Sequence, residues 1–365
     1  MKKIIVAILI TCLFCETWMS GIDTFAAQTK ENLIYGDYVY SDIITGPCVV
    51  RHYNKLTRYN GRDKHVIVPD EINNIPVQVL MRKYKYPNQI EEITLGTNIE
   101  DVDGSFNALP NLKAINVLEG NGYFSSIDGI LLGYDGDFVR YPRGKSGEKY
   151  TLPRNTTRVL SYAFCGCDNL QTIIVPEKVW DIHDGAFKKC ENLTKITLPK
   201  SLMYIEENAF SGCSALQEIK IPKNVAMIKA SAFKNCNAKI KMPSYIKKKK
   251  DSGNGAYYEL RFKAKFKKKT TEYSFLEDFG DIKPAKKKIV LKKGKKEKLI
   301  TKIYVDDVWQ TLKTNMLYFS SSNKKVATVT NNGMVKSKKK GKTTITAYYY
   351  FGGEAIKYKV KVQVK

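Results

Sequence analysis

The residues of this sequence most able to hold a metal are its cysteines and histidines. Four of the eight cysteines recur at a constant step of 23 residues, at Cys167, Cys190, Cys213 and Cys236. The three histidines are scattered, at His52, His65 and His183. A structural zinc site needs four ligands that converge on one point, whereas an equal long step spreads its members along a line. We therefore predict no metal site and no cofactor.

A catalytic thiol is the next option, because Cys48 lies close in sequence to His52 and His65. A nucleophilic cysteine needs a base that a third group orients toward it, and nothing in the sequence supplies that orientation. No nucleophile elbow, acid–base pair or phosphate-binding loop occurs elsewhere. The sequence therefore predicts that the protein is not an enzyme.

Positive charge is the most unusual chemical property of the chain. The whole sequence has 61 Lys and Arg against 36 Asp and Glu, and residues 239–365 hold 34 of the former and 10 of the latter. All of these 34 except Arg261 are lysine, which is a hydrated point charge without the bidentate fork of arginine. This composition favours diffuse, salt-sensitive attachment to polyanions such as anionic cell-wall polymers, sulfated glycans or extracellular DNA. The alternative is a solvated surface that keeps the protein soluble.

The candidate polyanion-binding residues come from three lysine-rich runs. They are Lys247, Lys248, Lys249, Lys250, Lys267, Lys268, Lys269, Lys292, Lys293, Lys295 and Lys296. No helix-turn-helix, RNA-recognition or zinc-finger pattern accompanies these runs, so we expect no specific nucleic-acid readout.

An internal repeat determines the predicted fold. Columns of Phe, Ala, Pro, Leu and Ile keep the same step of 23 residues as the cysteines, and the phenylalanines are Phe164, Phe187, Phe210 and Phe233. In each unit Phe, Cys and Leu at steps of three put one face of a short helical turn inward. The alternating residues that follow have the period of a strand. Stacked units would share one core, so residues 66–246 are predicted to form a solenoid that is mainly β with short helical turns.

The cysteine column belongs to the predicted core of this solenoid. Each of its members occupies the position that Leu109 has in an earlier unit, so the position favours a small apolar group and a buried thiol. Neighbouring coils could still bring two cysteine Cα atoms within disulfide range. Oxidation of the column therefore stays open.

The units resemble the BspA-like leucine-rich repeats of bacterial surface proteins, which read roughly A-F-x-x-C-x-x-L-x-x-I-x-I-P. The match is strong over residues 151–243 and weaker upstream. We expect a hairpin inserted over about residues 118–152, where the period breaks, and an N-terminal cap over residues 27–65. The resemblance implies a leucine-rich-repeat solenoid that adheres to host matrix proteins, to other surface proteins or to glycans.

Residues 284–365 have a different pattern, with short strands of period two separated by turn residues, which predicts a β-sandwich. The stretch from Phe319 to Val329, followed by Gly333-x-Val335 and Gly341, resembles the group 2 bacterial immunoglobulin-like domain. That resemblance implies a stalk or adhesion module without catalytic residues. Residues 247–283 are basic and aromatic, and we interpret them as a connector that also caps the solenoid.

The first 26 residues read as a secretory signal peptide. Lys2 and Lys3 precede an apolar run of 11 residues, Ile4–Phe14, which is too short to span a bilayer. Cys12 and Cys15 leave a lipoprotein alternative open. We expect a secreted, extracellular protein without a transmembrane span, attached to the cell surface non-covalently if at all.

Outward-facing strand positions of the solenoid are the candidate contacts for a partner. One predicted strand ladder carries an apolar band, and large exposed apolar patches mark interaction sites. The candidate partner-binding residues are Trp180, Asp181, Met203, Tyr204, Met227, Lys195 and Lys220. In the alternative reading the hairpin or a cap covers the band. A second alternative for the whole protein is a structural spacer without a specific ligand.

Overall fold

The computed structural model describes residues 28–45, 51–85, 88–102, 105–229, 231–241, 246–250, 256–266, 269–274, 282–305, 308–312, 317–351 and 354–365. Within these ranges the chain forms strands and one short 3₁₀ helix. The predicted fold class is confirmed, because a solenoid of stacked coils is followed by a two-sheet sandwich. The expected signal peptide, Cys48, Lys267 and Lys268 lie outside the described residues.

An antiparallel meander begins the described chain and covers the first coils. Its strands are β1 Gln28–Tyr35, β2 Tyr38–Thr45 and β3 Arg51–Tyr59. They are followed by β4 His65–Ile67, β5 Glu71–Ile72 and β6 Ile75–Lys85, and the sheet order is β1-β2-β3-β6-β5. Asn54 of β3 is fully buried and donates to the carbonyls of Ile72 and Ile75 at 2.9 and 3.0 Å. This amide fixes the meander to the turn between β5 and β6.

The first coils pair through short parallel strands. After β4 come β7 Glu92–Leu95, the 3₁₀ helix Ser105–Ala108 and β8 Ala114–Val117, and β4, β7 and β8 form one parallel sheet. Val66, Ile93 and Ile115 occupy equivalent positions of successive coils and are buried in the core. Phe106, Leu109 and Leu112 of one coil are buried with them. The weaker upstream repeats are therefore coils of the same solenoid.

The insertion is shorter in the structure than the predicted range of about residues 118–152. The next strands are β9 Phe124–Ile127, β10 Ile130–Gly133, β11 Asp137–Arg140 and β12 Lys149–Thr151. Asp128 and Gly129 both have positive φ, as a two-residue type I′ turn between β9 and β10 requires. However, β11 pairs in parallel with β13 and β12 with β14, so the chain rejoins the solenoid at β11.

The regular coils each contribute two short strands. In chain order they are β13 Arg158–Val159, β14 Thr172–Ile174, β15 Asp181–Ile182, β16 Lys195–Thr197, β17 Tyr204–Ile205, β18 Glu218–Lys220, β19 Met227–Lys229 and β20 Lys239–Lys241. The even-numbered strands from β12 to β20 lie on one side of the solenoid, which we call the first ladder. The odd-numbered strands from β11 to β19 form the second ladder. In the second ladder Asp181 pairs with Tyr204 and Tyr204 with Met227.

The phenylalanine column forms a continuous stack through the core. Phe164, Phe187 and Phe210 are fully buried, and adjacent rings lie 5.1 Å apart, centroid to centroid. Phe233 continues the stack at 5.3 Å from Phe210 but is partly exposed, because it belongs to the last regular coil. Tyr141 takes the same position one coil earlier and stacks on Phe164 at 5.5 Å. Side chains at equivalent positions of successive coils therefore form continuous rows in the core.

The cysteine column runs beside the phenylalanines as free thiols. The Cys190 Sγ donates to the carbonyl of Phe164 at 3.0 Å, and the Cys213 Sγ to that of Phe187 at 3.1 Å. Burial raises the pKa of Cys190 well above its usual range and that of Cys213 to about 12. Cys236 is only partly buried.

We expect these thiols to differ in reactivity, because the thiolate is the reacting form and needs access to solvent. Cys165, next to the column, is partly buried like Cys236. Iodoacetamide at pH 8 should alkylate Cys165 and Cys236 of the native protein well before Cys190 and Cys213, as measured by peptide mass mapping. In denaturant all four should react alike. Equal rates in the native protein would contradict the buried column.

The chain leaves the solenoid through three further strands: β21 Ile246–Lys250, β22 Ala256–Phe266 and β23 Lys269–Ser274. Strand β22 pairs antiparallel with β19, so Met227, Ile228 and Lys229 lie opposite Glu259, Tyr258 and Tyr257. This pairing covers the open edge of the second ladder, as a solenoid end requires.

The remaining strands build the C-terminal domain. They are β24 Ile282–Pro284, β25 Lys288–Leu291, β26 Lys296–Lys298, β27 Thr301–Val305, β28 Val308–Leu312, β29 Tyr318–Ser321, β30 Ala327–Val329, β31 Met334–Ser337, β32 Gly341–Phe351 and β33 Glu354–Val364. A four-stranded sheet in the order β25-β33-β32-β29 packs on a three-stranded sheet β26-β31-β30. Gly333 has a φ of +79°, and a Cβ there would come within 3.0 Å of the Phe319 ring. Glycine is therefore required for the turn that seats Phe319.

Candidate functional site

The C-terminal domain docks on the last regular coils of the solenoid. Asn224, which follows Pro222 and Lys223, is only 1% exposed. Its Nδ2 donates to the carbonyl of Tyr350 at 2.6 Å, and the N–H of Tyr350 donates back to its Oδ1 at 3.3 Å. The side-chain amide thus pairs with the backbone of β32 as a neighbouring strand would. Two reciprocal bonds at a buried position make this a specific joint.

Tyr318 forms the second part of the joint. Its hydroxyl accepts from the N–H of Lys223 at 3.1 Å, and the ammoniums of Lys200 and Lys223 lie 5.9 and 5.4 Å from its ring centroid. Burial, together with the nearby Glu177 carboxylate, raises the pKa of Tyr318, although the backbone N–H groups of Lys223 and Asn224 oppose the shift. The Lys223 ammonium donates to the carbonyls of Leu317 and Asn331 at 3.4 and 3.3 Å.

The expectation that Met203 is exposed is wrong. Met203 and Ala226 are each 1% exposed and belong to the same buried cluster as the core of the C-terminal domain, with Tyr204 packed against it. Sequence periodicity gives the face of a strand but does not reveal which distant segment covers that face. The expected apolar band is therefore largely an interface inside the protein.

Trp180 lies outside the buried cluster that Met203 and Ala226 share with the C-terminal domain. It is half-buried and contacts Tyr204 edge-on, with ring centroids 5.8 Å apart. Asp181 and Met227 are also half-buried. Because Trp180 occupies the position of Met203 one coil earlier, the solvent-facing part of the band begins where the docked domain ends.

Charged side chains lie near Trp180 on the second ladder, where Asp137, Arg158 and Asp181 are register partners. Arg158 binds Asp137 with two bonds, from Nε at 2.7 Å and from Nη2 at 2.6 Å. His183 Nε2 lies 3.2 Å from Asp181 Oδ2, and this contact raises the pKa of His183. The band is thus a mixed aromatic and charged patch. We call Trp180, Asp181, Arg158, Asp137 and His183 the Trp180 patch.

A cavity of about 380 Å³ opens beside the Trp180 patch, lined among others by Glu100, Asp101, Phe106, Arg140, Tyr162 and His183. Arg140 is 3% exposed, and burial lowers its pKa. Its guanidinium donates to Asn107 Oδ1 at 2.5 Å and to the carbonyls of Phe106, Tyr162 and Cys165, while Nε has no hydrogen-bond partner among the described residues. The guanidinium therefore acts mainly as a cross-link between coils.

The sequence does contain a signal for this arginine. Arg140 lies 23 residues before Ala163 and so occupies the alanine column of the repeat. The step from Phe138 to Tyr141 is three residues, whereas the step from Val159 to Phe164 is five. This coil is two residues shorter there, and the Arg140 side chain connects it to the carbonyls of Tyr162 and Cys165 in the next coil.

The candidate lysines are spread over several surfaces. Lys195 and Lys220 are exposed on the first ladder, and Lys220 lines a cleft at the domain joint. Four others are exposed around the turn between β25 and β26: Lys292, Lys293, Lys295 and Lys296. The backbones of Lys247–Lys250 lie in β21, and that of Lys269 begins β23. The structure therefore does not bring the three runs together into one described site.

A further lysine array lies outside the candidate polyanion-binding residues. Lys357, Lys359 and Lys361 are exposed on β33, and their alternating neighbours Tyr358 and Val360 are buried in the sandwich. Lys361 lies opposite Lys288 of β25 in the same register. The alternation was visible in the sequence, but the position of Lys288 depends on a pairing between distant strands.

Clusters of metal ligands and membrane-spanning helices are two further features that could define a function. In the part of the chain that the structure describes, no three His, Cys, Asp or Glu side chains come together as metal ligands. Among the same residues no helix is long and apolar enough to cross a membrane. The described surfaces are thus the domain joint with its cleft, the Trp180 patch with the cavity beside it, and the exposed lysines of the C-terminal domain.

Stacked coils with an appended sandwich define a class of repeat protein built for binding or for structural support. Residues 143–260 match the model of the BspA type leucine rich repeat region in six copies, and residues 281–360 match that of the bacterial Ig-like domain (group 2). The chain therefore carries a BspA-type leucine-rich-repeat region followed by a group 2 bacterial Ig-like domain. Both are binding or structural families and not enzymatic ones, and BspA-type repeat proteins are cell-surface proteins.

Several solved structures resemble the chain. A leucine rich cell surface protein from Faecalibacterium prausnitzii is 14% identical, with 61% of this chain and 96% of that chain covered and a TM-score of 0.36. The pneumococcal vaccine antigen PcpA is 18% identical, with 60% of this chain and 79% of that chain covered and a TM-score of 0.32. A leucine-rich repeat protein from Bacteroides ovatus is 20% identical, with 58% of this chain and 53% of that chain covered and a TM-score of 0.38. A comparison with curated protein sequences gives no match.

Proposed function

We propose that the protein is exported to the bacterial surface and acts there as an adhesion module that binds a protein partner. The observation that carries this proposal is the position of Trp180. Its counterparts in the next two coils, Met203 and Ala226, are buried by the C-terminal domain, whereas Trp180 keeps a solvent-facing side. A partner seated there would continue an interface that already exists.

The chemistry of the Trp180 patch suits a protein partner. Tryptophan and arginine are enriched among the residues that dominate binding energies at interfaces. Arg158 is held in place by its two bonds to Asp137, so little side-chain entropy remains to be lost on binding. The exposed Lys195 and Lys220 lie on the other ladder and would contact a second region of a large partner or a glycan.

We expect Trp180→Ala to weaken saturable binding by roughly 30-fold, because a central aromatic contact contributes about 2 kcal/mol. Binding of the protein to a panel of host matrix proteins and bacterial surface proteins, measured by surface plasmon resonance, would show this. The matched control is Tyr134→Ala, since Tyr134 is an aromatic residue 83% exposed outside the patch. An equal loss in both variants, or none in either, would contradict the role of Trp180.

A structural spacer is the second candidate, and the domain joint favours it. Two reciprocal hydrogen bonds of Asn224 and the buried Met203 give a stiff connection, as a spacer needs. The spacer predicts no saturable binding to any member of the panel. The adhesion module predicts at least one saturable partner that depends on Trp180.

We also propose that the lysine-rich C-terminal region holds the protein to anionic polymers of the cell surface. The exposed lysines from Lys292 to Lys296 support this. Such attachment is screened by salt, because the Debye length falls to about 3 Å at 1 M ionic strength.

A further inference from the structure

The outer face of the four-stranded sheet is a basic surface with an ordered pattern. Strand register places its outward residues in rows across the sheet. The rows are Tyr318–Tyr348–Lys357, Ser320–Thr346–Lys359, Thr344–Lys361–Lys288 and Lys342–Gln363–Val290. Within these four rows of described residues there is no Asp or Glu.

The spacing within this face is regular. Lys357, Lys359 and Lys361 follow one another at every second position of β33, and all three are exposed. Alternate residues of a strand are about 7 Å apart, so three ammoniums stand in a line on a rigid sheet. Hydroxyls of Ser320, Thr344 and Thr346 lie in the same rows.

This arrangement costs stability in the free protein. Lys361 and Lys288 are direct cross-strand partners on one face, and like charges directly opposite each other are destabilising. Lys286 and Lys241 have acidic partners, Glu297 and Glu218, at 3.1 and 2.5 Å. The rows of β33 contain no such compensation, which an anionic ligand would supply.

The lysine row continues to the solenoid through tyrosines. Tyr348 is the register partner of Lys357, and its ring stacks on Tyr318 with centroids 5.6 Å apart. Tyr318 in turn lines the cleft of about 480 Å³ at the domain joint. Tyr318 and Tyr348 therefore lie between the lysines of β33 and the cleft.

The cleft itself combines charge with an apolar floor. Lys200 and Lys220 are exposed at its edge, and Leu198, Ile221 and Pro222 form part of its lining. Binding pockets occur preferentially at domain interfaces and join apolar walls to a few polar groups. We call Lys200, Lys220, Tyr318, Tyr348, Lys357, Lys359, Lys361 and Lys288 the lysine track.

We propose that the lysine track binds one linear acidic polysaccharide, whose carboxylate or sulfate groups contact the lysines of β33 and whose end enters the cleft. This inference rests on the proposed surface-binding function and names a ligand class for it. Sugar rings suit the mixture of hydroxyls, lysines and apolar cleft floor. A single-stranded nucleic acid needs open aromatic faces for its bases, whereas the Tyr318 ring is stacked on Tyr348 and faces the Lys200 and Lys223 ammoniums.

The test compares three variants of the full chain by isothermal titration with a heparin hexasaccharide. The face variant is Lys357→Gln with Lys359→Gln and Lys361→Gln, and the cleft variant is Lys200→Gln with Lys220→Gln. The matched control is Lys338→Gln with Lys339→Gln and Lys340→Gln, which removes three positive charges, as the face variant does, from the exposed turn between β31 and β32. Thermal unfolding of each variant confirms that it folds.

The face variant should bind roughly 10- to 100-fold more weakly, because each lost exposed pair is worth up to about 1 kcal/mol. The cleft variant should lose several-fold, and the turn control should change less than either. The hexasaccharide should also raise the melting temperature of the unmutated protein. An equal loss in the turn control, or no loss in the cleft variant, would overturn the track.

Three further ligands separate the track from general charge attraction: uncharged dextran, a single-stranded DNA oligomer and polyglutamate. The track predicts no binding of dextran and weaker binding of the other two than of the hexasaccharide. DNA or polyglutamate that binds as tightly would overturn the ligand class. If the protein binds a Trp180-dependent partner but no hexasaccharide, the track alone fails, and if it binds neither, the proposed function fails as well.

Discussion

Replacing Phe187 by alanine should destabilise the solenoid by about 3–5 kcal/mol, the usual cost of removing a buried aromatic side chain. Phe187 is fully buried and stacks on both Phe164 and Phe210 at 5.1 Å. Its removal would interrupt a row of aromatic side chains that the regular coils share. Urea unfolding followed by circular dichroism measures the change in the free energy of unfolding.

The matched control is Phe233→Ala, at the end of the same column. Phe233 is partly exposed and stacks on Phe210, so less apolar surface is lost and the cavity opens to solvent. We expect a clearly smaller loss than for Phe187→Ala. A cost below about 1 kcal/mol for Phe187→Ala would contradict its place in a packed core.

Replacing Asn224 by alanine should uncouple the two domains. The substitution leaves the N–H and the carbonyl of Tyr350 without the Asn224 amide, and each buried group left unpaired costs about 1–3 kcal/mol. Calorimetry should show one transition for the unmutated protein and two for Asn224→Ala, because the domains would no longer unfold together.

Asn237→Ala is the matched control for this experiment. Its Nδ2 donates to the carbonyl of Ser214 at 3.3 Å on an exposed surface within the solenoid. The control should retain a single transition. Two transitions already present in the unmutated protein would show that the joint does not couple the domains.

The solenoid could be predicted from the sequence because the residues that specify it recur at a short and constant interval along the chain. The step of 23 residues identifies Phe164, Phe187 and Phe210 as one row, and stacking follows from the step alone. The extent of the insertion was less predictable. Tyr141 continues the phenylalanine row, but the coil that carries it is two residues shorter before the turn, which hides the period.

The binding surfaces depend on contacts between residues far apart in the chain. Asn224 and Tyr350 are 126 residues apart in sequence, and no local pattern marks them as partners. For the same reason the sequence pattern placed Met203 on an outward face of its strand, although the C-terminal domain buries it. The alternating lysines of β33 were visible in the sequence. Their alignment with Lys288 depends on the order of the strands in the sheet, which the sequence does not show.

Methionine oxidation tests the docked arrangement most directly, because it needs no substitution and reports access to one sulfur atom at a time. Met203 is 1% exposed under the C-terminal domain, whereas Met227 and Met334 are partly exposed. In native protein treated with dilute hydrogen peroxide, peptide mass mapping should show Met227 and Met334 converted to sulfoxide while Met203 stays reduced. Oxidation of Met203 as fast as Met227 would mean that the domain does not cover the second ladder, and would contradict the account.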